Sequence, residues 1–355
     1  MPNIQYFLGA NSPQGFYSLY DQLTDPDRAR AIYILKGGPG CGKSTLMSRV
    51  ALQAREQGHA VERIHCSGDP DSLDGVALPE LGVALVDGTA PHVVEPKYPG
   101  AVEHYVNLGA CYDAQALAPL LPQMKACMQG YKGIYQQAYR ALSAAAQLTE
   151  DSRLTLLTDE AVARLQKRAQ GIVRRECGQK KATEPGRVRQ YFLSAVTHRG
   201  VLTHYDTALS QCSRIYALCD RYRTAHILLS QLLSGFVRAG HDVVVCPDPM
   251  FPTQAEHLLV PGLSLAFLST PGNSPFGLKP YRRIRLDAML DPELLRRSRP
   301  RLRFAQRVAR SLIGDAVADL GRAKAMHDEL EAIYNPHVDF DRVNAIADAL
   351  IKKIM

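Results

Sequence analysis

Polar and apolar positions along the first third of the chain change period several times. Ile32 to Leu35 form a short apolar run of β character. After the glycine-rich stretch that follows, Leu46, Val50 and Ala54 return at helical spacing, and Gly58 supplies a stop. "AVERIHC", residues 60–66, reads as a second strand, and Val83 to Val86 form another apolar run that ends at Asp87. Residues 113–177 and 291–352 instead carry apolar residues at helical spacing with little strand character. The pattern predicts an α/β chain in which strand-and-helix cores are each followed by a helical appendage. Amphipathic faces mostly serve packing, so each appendage is expected on its own core, with a lid that closes over a ligand as the alternative use.

The pattern also repeats. At an offset of 185, "QYFLGANSPQGFYSLYD" meets "QYFLSAVTHRGVLTHYD", so that Gln5, Tyr6, Phe7, Leu8, Ala10, Gly15, Tyr20 and Asp21 find identical partners from Gln190 to Asp206. Further on, "AIYILKG" is echoed by "SRIYALCD", Gly58-His59 by Gly240-His241, "LPELGVALVDGT" by "LVPGLSLAFLST" and "LGACYDAQAL" by "LDAMLDPELL". Self-similarity over half a chain marks a duplicated domain. The first unit is expected over residues 1–180, with its appendage at about 113–177. The second is expected over 187–355, with its helical tail from about 291.

The chemistry concentrates in the first unit. Gly37, Gly38, Pro39, Gly40, Cys41, Gly42, Lys43 and Ser44 fit G-x-x-x-x-G-K-[ST] at every fixed position, with Thr45 next. Glycines let the backbone wrap a polyphosphate with its N–H groups pointing inward, and the start of a helix adds its positive end. Lys43 is expected on the β- and γ-phosphates, and the Ser44 hydroxyl on Mg²⁺. Asp87, at the end of an apolar strand, has the form of the second magnesium-holding residue; a turn aspartate before Gly88 is the plainer reading. Between them, Asp69, Asp71, Asp74 and Glu80 fall near strand ends, where turn formation alone explains such a composition. One of them, Asp74 in particular, could accept a proton from a substrate, and His92 follows Asp87 closely enough to approach the γ-phosphate.

In the second unit the corresponding stretch is "DRYRTAHIL", residues 220–228. His226 stands for Lys43, Ile227 for Ser44 and Ser269 for Asp87. The expectation is one working nucleotide site and one degenerate site per chain. Arg221, Arg223, Arg282, Arg283 and Arg285 could reach from the degenerate half to stabilise charge on a γ-phosphate.

Composition narrows the classes. The 355 residues are 46% hydrophobic and 22% charged, as in globular proteins. The eight cysteines are scattered without CxxC or zinc spacing, which fits a reduced cytoplasm and no structural metal. The N-terminus lacks a signal-like pattern, and no run of 18 apolar residues suggests a membrane span. The net charge of +7 suits phosphate-bearing partners. "RRECGQKKATEPGR", 174–187, reads as an exposed linker. "RRSRPRLRFAQRVAR", 296–310, could meet nucleic acid, but Pro300 is expected to interrupt it and aromatics hardly interleave, so a solvated face is favoured.

The combination "FxxLYD", "ILKGGPGCGKSTLM", "HCSGDPDSLDGVALPEL" and "ALVDGTAPHVVEPKYPGAVEHYVNLG", with the tail "AMHDELEAIYNPHVDFDRVNAIADALI", resembles a family of poorly characterised bacterial tandem P-loop NTPases. The resemblance covers nearly the whole chain and implies two P-loop cores with parallel sheets, ATP and Mg²⁺ as ligands, and an ATPase or nucleotide-binding role. In that family the second repeat often keeps its own P-loop; this chain departs there. Mg-dependent ATP hydrolysis is therefore the leading expectation. A kinase acting on a small molecule or nucleotide, and a nucleotide-gated interaction module with an unidentified partner, are the alternatives.

Overall fold

The computed structural model describes residues 4–23, 29–178, 182–270 and 279–355. The first half contains β1 (Ile4–Phe7), β2 (Gly9–Ser12), β3 (Gly15–Ser18), β4 (Ala31–Lys36), α1 (Lys43–Glu56), β5 (Glu62–His65), β6 (Leu73–Leu78), β7 (Val83–Asp87), β8 (Glu103–Asn107), α2 (Ala114–Leu117), α3 (Leu121–Leu154) and α4 (Asp159–Cys177). The second contains β9 (Val188–Gln190), β10 (Ser194–Thr197), β11 (Gly200–Thr203), α5 (Tyr205–Gln211), β12 (Arg214–Cys219), α6 (Ala225–Arg238), β13 (Val243–Asp248), β14 (Phe251–Val260), β15 (Leu265–Thr270), β16 (Arg282–Arg285), α7 (Pro292–Tyr334) and α8 (Phe340–Ile354).

Two six-stranded sheets result, ordered β1-β5-β6-β7-β4-β8 and β9-β13-β14-β15-β12-β16, so the architecture is α/β and duplicated strand for strand. Each half also carries a short hairpin, β2-β3 or β10-β11. The sheets are mixed, which corrects the parallel sheets expected: β6 and β14 run antiparallel to both neighbours. The cause is connection length. A parallel return needs a crossover of a dozen residues or more, whereas β5 ends at His65 and β6 begins at Leu73, and Asp248 and Phe251 bracket a still tighter turn.

The repeated "QYFL" segments meet each other. Phe7 and Phe192 exchange both backbone hydrogen bonds at 2.9 Å, and the rings of Tyr6 and Tyr191 stack at 4.6 Å. Equivalent residues pairing with one another is the mark of a two-fold relation, here within one chain. The longest helices, α3 and α7, pack antiparallel across it. Gly130 lies against Met326 and Gln137 bonds Arg322, while Ala138, Ala145, Ala309 and Ala316 keep the seam narrow.

The last helix of each appendage does not pack on its own core. Leu165, Ala169 and Ile172 of α4 join Leu228, Leu232, Phe236 and Phe267 of the second half. Reciprocally, Val343, Ala347, Leu350 and Ile354 of α8 join Leu35, Leu46, Val50 and Leu85 of the first. Both helices start at a side-chain cap, Thr158 accepting from the Ala161 N–H and Asp339 from the Arg342 N–H. Full burial of a Leu or Ile side chain is worth about 1.5–3 kcal/mol, so each half depends on the other for several kcal/mol of its core.

Two further expectations change. Arg174 to Cys177 belong to α4 and not to a linker, with the buried Glu176 side chain holding Arg214 and Tyr216; residues 179–181 of that stretch lie outside the described residues. Pro300 lies inside α7 and does not interrupt it. Asp113 and Asp291 cap equivalent helices, and nine residues beyond each come Pro122, at the start of α3, and Pro300. In α7 the helix absorbs the missing N–H that a proline imposes. Among the described residues, no helix is long and apolar enough to cross a membrane.

Candidate functional site

The first half's glycine loop links β4 to α1. Gly40 and Gly42 have φ of 69° and 82°, left-handed values that an L side chain rarely tolerates. Gly42 is also the residue before α1, so no side chain caps the helix and its first-turn N–H groups face the loop uncapped. Lys43 folds back, its Nζ donating at 2.8 Å to the carbonyls of both Gly37 and Gly38 and lying 3.6 Å from Asp87 Oδ2. Ser44 Oγ accepts the Leu73 N–H at 2.9 Å, tying α1 to β6. Asp87 Oδ1 accepts the Thr89 N–H at 2.8 Å and the Thr89 hydroxyl at 2.5 Å. The register Leu35↔Asp87 brings β4 and β7 to one edge, so Lys43 and Asp87 converge. Cys41 is buried beneath the loop, Pro39 O accepts from Tyr112 Oη at 2.7 Å, and Thr45 is exposed.

Asp74 and His92 are drawn together beside this loop. Asp74 Oδ2 lies 3.3 Å from His92 Nε2 and accepts from Tyr20 Oη at 2.7 Å. Burial opposes the charge on Asp74, yet the His92 charge and hydrogen bonds from His92, Tyr20 and Cys66 hold its carboxyl below the usual range. Burial likewise opposes a charged His92, but Asp74 raises its pKa, Asp87 adds to the rise and Lys43 works against it. The His92 ring packs on Phe16 and Tyr20, and its buried Nδ1 has no partner. Burial, then Asp74, push the Cys66 thiol well up. Tyr135 of α3 closes the far side: a Cβ on Gly68 would lie 2.9 Å from its Oη.

The other acids stay apart from this cluster. Asp69 holds the turn before β6, accepting from Ser72 Oγ at 3.0 Å, and sits 3.4 Å from Lys324; Asp71 pairs with Arg199; Glu80 lies 3.3 Å from His59. Nor do the arginines of the second half reach Lys43. Arg223 pairs with Asp248 and approaches Glu256, Arg221 leans on Tyr222, and Arg282, Arg283 and Arg285 form the edge strand β16. What crosses to the glycine loop is acidic and amide: Glu331 Oε1 of α7 accepts the Gly40 N–H at 3.3 Å, and a Cβ on Gly40 would meet Asn335 Oδ1 at 2.3 Å. Tyr20, Tyr112, Glu331 and Asn335 escaped the sequence reading. Tyr20 and Tyr112 lie inside repeated blocks, and Glu331 and Asn335 inside the C-terminal stretch, but nothing in the pattern marked them as facing the loop.

The equivalent turn in the second half keeps the shape and fills it. Arg223, at the position of Gly40, has a φ of 55°. Asp220, at the position of Gly37, accepts the Thr224 N–H at 2.7 Å and the Ala225 N–H at 2.9 Å, where α6 begins. Burial raises the Asp220 pKa, against the two N–H groups and Arg223, which favour the ionised form.

No known protein family, curated protein or solved structure matches this chain.

Proposed function

We propose that the chain binds one Mg–nucleoside triphosphate, ATP, at residues 37–45 and hydrolyses it there, in a P-loop fold of which the second half retains only the shape. One observation carries the reading: an uncapped helix start behind two left-handed glycines, with Lys43 and Asp87 3.6 Å apart at its mouth. Ser44 Oγ and the Asp87 carboxylate are oxygen donors of the kind Mg²⁺ takes, and the ion would supply charge neutralisation on the phosphates. Lys43, now spent on the Gly37 and Gly38 carbonyls, is the group to swing onto the β- and γ-phosphates. Asp220 fills the corresponding turn, which favours one nucleotide per chain.

A second reading, a kinase, is favoured by Asp74. Its carboxylate is buried, kept ionised by His92 and walled by Tyr20, Cys66 and Tyr135, as suits a base taking a proton from an acceptor hydroxyl. In that reading α3 is the platform under which the acceptor binds.

The test is ADP formation by wild type, Lys43→Ala and His226→Ala, with and without small-molecule and nucleotide acceptors. Lys43→Ala should cost about 100-fold or more in turnover, and His226→Ala little. Equal turnover in all three refutes the proposal; ADP appearing only with an acceptor selects the kinase.

A further inference from the structure

Beside the filled turn of the second half lies a cleft of about 640 Å³, lined by Arg221, Pro300, Arg303, Phe304, Gln306, Arg307 and Arg310. The size suits a bound ligand segment. Because α7 continues through Pro300, Arg303, Arg307 and Arg310 fall at i, i+4 and i+7 and share one helix face. Arg221 joins them from the turn, where its carbonyl accepts from Gln306 Nε2 at 3.2 Å. From Arg296 to Arg310 the helix has seven arginines, and no acid stands between Glu293 and Asp315. Among the described residues, only Arg296 of the seven forms an ion pair, with Glu293. Phe304 is 56% exposed in the middle of this charge, with the Arg307 guanidinium 5.8 Å from its ring centre.

Counted from the equivalent caps Asp113 and Asp291, the matching positions on α3 are Lys125, Ala126, Gln129 and Lys132. The aromatic and all three arginines therefore belong to the half whose glycine loop is filled, while two of the three charges recur on α3 as Lys125 and Lys132.

We infer that this cleft binds single-stranded nucleic acid, with successive phosphates on Arg303, Arg307, Arg310 and Arg221 and a base stacked on Phe304. The three helix arginines span roughly 10 Å at 1.5 Å rise per residue, long enough to meet more than one phosphate of an extended strand. An exposed aromatic among unpaired arginines supplies the sequence-tolerant stacking that single strands use. An acidic polypeptide would use the arginines but leave the ring idle.

The experiment is fluorescence anisotropy of a labelled twelve-nucleotide oligo-dT with the full chain carrying Lys43→Ala, which keeps the glycine loop out of the readout, over a series of salt concentrations. Binding should weaken linearly in log–log form. Arg303→Ala with Arg307→Ala should lower affinity about tenfold or more and flatten the salt slope by about 1.4, at ~0.7 for each phosphate no longer neutralised. Phe304→Ala should lower affinity at least about fivefold without changing the slope. These residues are at the surface, and unchanged circular dichroism and melting confirm that the variants fold. The inference is overturned by absence of binding at 50 mM salt, by the arginine variant binding normally, by polyglutamate competing as well as oligo-dT, or by AMP competing as well at equal phosphate.

Discussion

Gly37 and Asp220 stand at the same turn, the first after β4 and the second after β12. Around Gly37 the helix behind the loop starts without a side-chain cap, and Lys43 leans over it. Around Asp220 a side-chain carboxyl occupies the place and takes the helix N–H groups for itself. The left-handed residue between them survives in both, as Gly40 and as Arg223. Backbone N–H groups at a buried helix start need an acceptor. The difference teaches that such a turn keeps its shape when a residue of its own supplies that acceptor.

Moving the filler between halves should have the largest effect. Gly37→Asp combined with Cys41→Thr gives the first turn the counterparts of Asp220 and Thr224, and changes the side chain, Cys41, that a Cβ at Gly37 would approach at 2.6 Å. Nucleotide affinity by calorimetry should fall at least about 100-fold, the scale of losing the amides and lysine on a phosphate, with thermal melting hardly moved. Normal binding would break the comparison. The converse change, Asp220→Ala, leaves the buried Thr224 and Ala225 N–H groups without a partner. It should cost about 2–3 kcal/mol in urea unfolding and leave nucleotide stoichiometry alone.

A smaller effect separates the halves by pH. Asp74 and Glu256 occupy equivalent places, preceding Gly75 and His257, which pair with Val86 and Leu268. His92 gains a proton-holding partner on folding, so its contribution is full below its ordinary 6.5 and is lost as pH rises through its raised value. Asp74 has the opposite sign, full above 3.8 and lost as pH falls through its depressed value. In the second half, Glu256, against its burial, is lowered to about 2 by His257 and Arg223, so its contribution is full above 4.5 and lost as pH falls toward 2. Stability should therefore decline as pH rises from 6.5 through the raised value of His92, and His92→Gln should abolish that decline. Persistence of the slope in the variant would assign it to another group. The smallest expected change is in Glu331→Gln: with a carboxylate removed from the Gly40 N–H, nucleotide should bind about threefold tighter.

The duplication and its register were legible because the residues that repeat most faithfully, Gln5 to Leu8 and Gln190 to Leu193, are those at which the halves touch. Symmetry makes each responsible for the same contact. The glycine loop was legible because two of its positions, Gly40 and Gly42, take left-handed angles that favour glycine, inside a fixed spacing. Asp74 and His92 were visible only as candidates, since a turn acid and a loop histidine look alike whether or not they meet. The exchange of α4 and α8 left no mark at all. An amphipathic face records that it will be covered but not by which sheet, and both cores offer similar aliphatic surfaces. The antiparallel β6 could have been read from the short segment before it.

The exchange of α4 and α8 also sets a timetable. On the ribosome the glycine loop emerges early, but Val343, Ala347 and Leu350, which seal the core behind α1, are made only after the whole second half. Meanwhile α4 leaves the tunnel with its apolar stripe exposed, before β12 and α6 exist to receive it. A ribosome stalled between residues 45 and 340 would hold a chain that has every residue of the loop and an unsealed core beneath it. Completion of the core beneath the loop is thus postponed until α8 has been made.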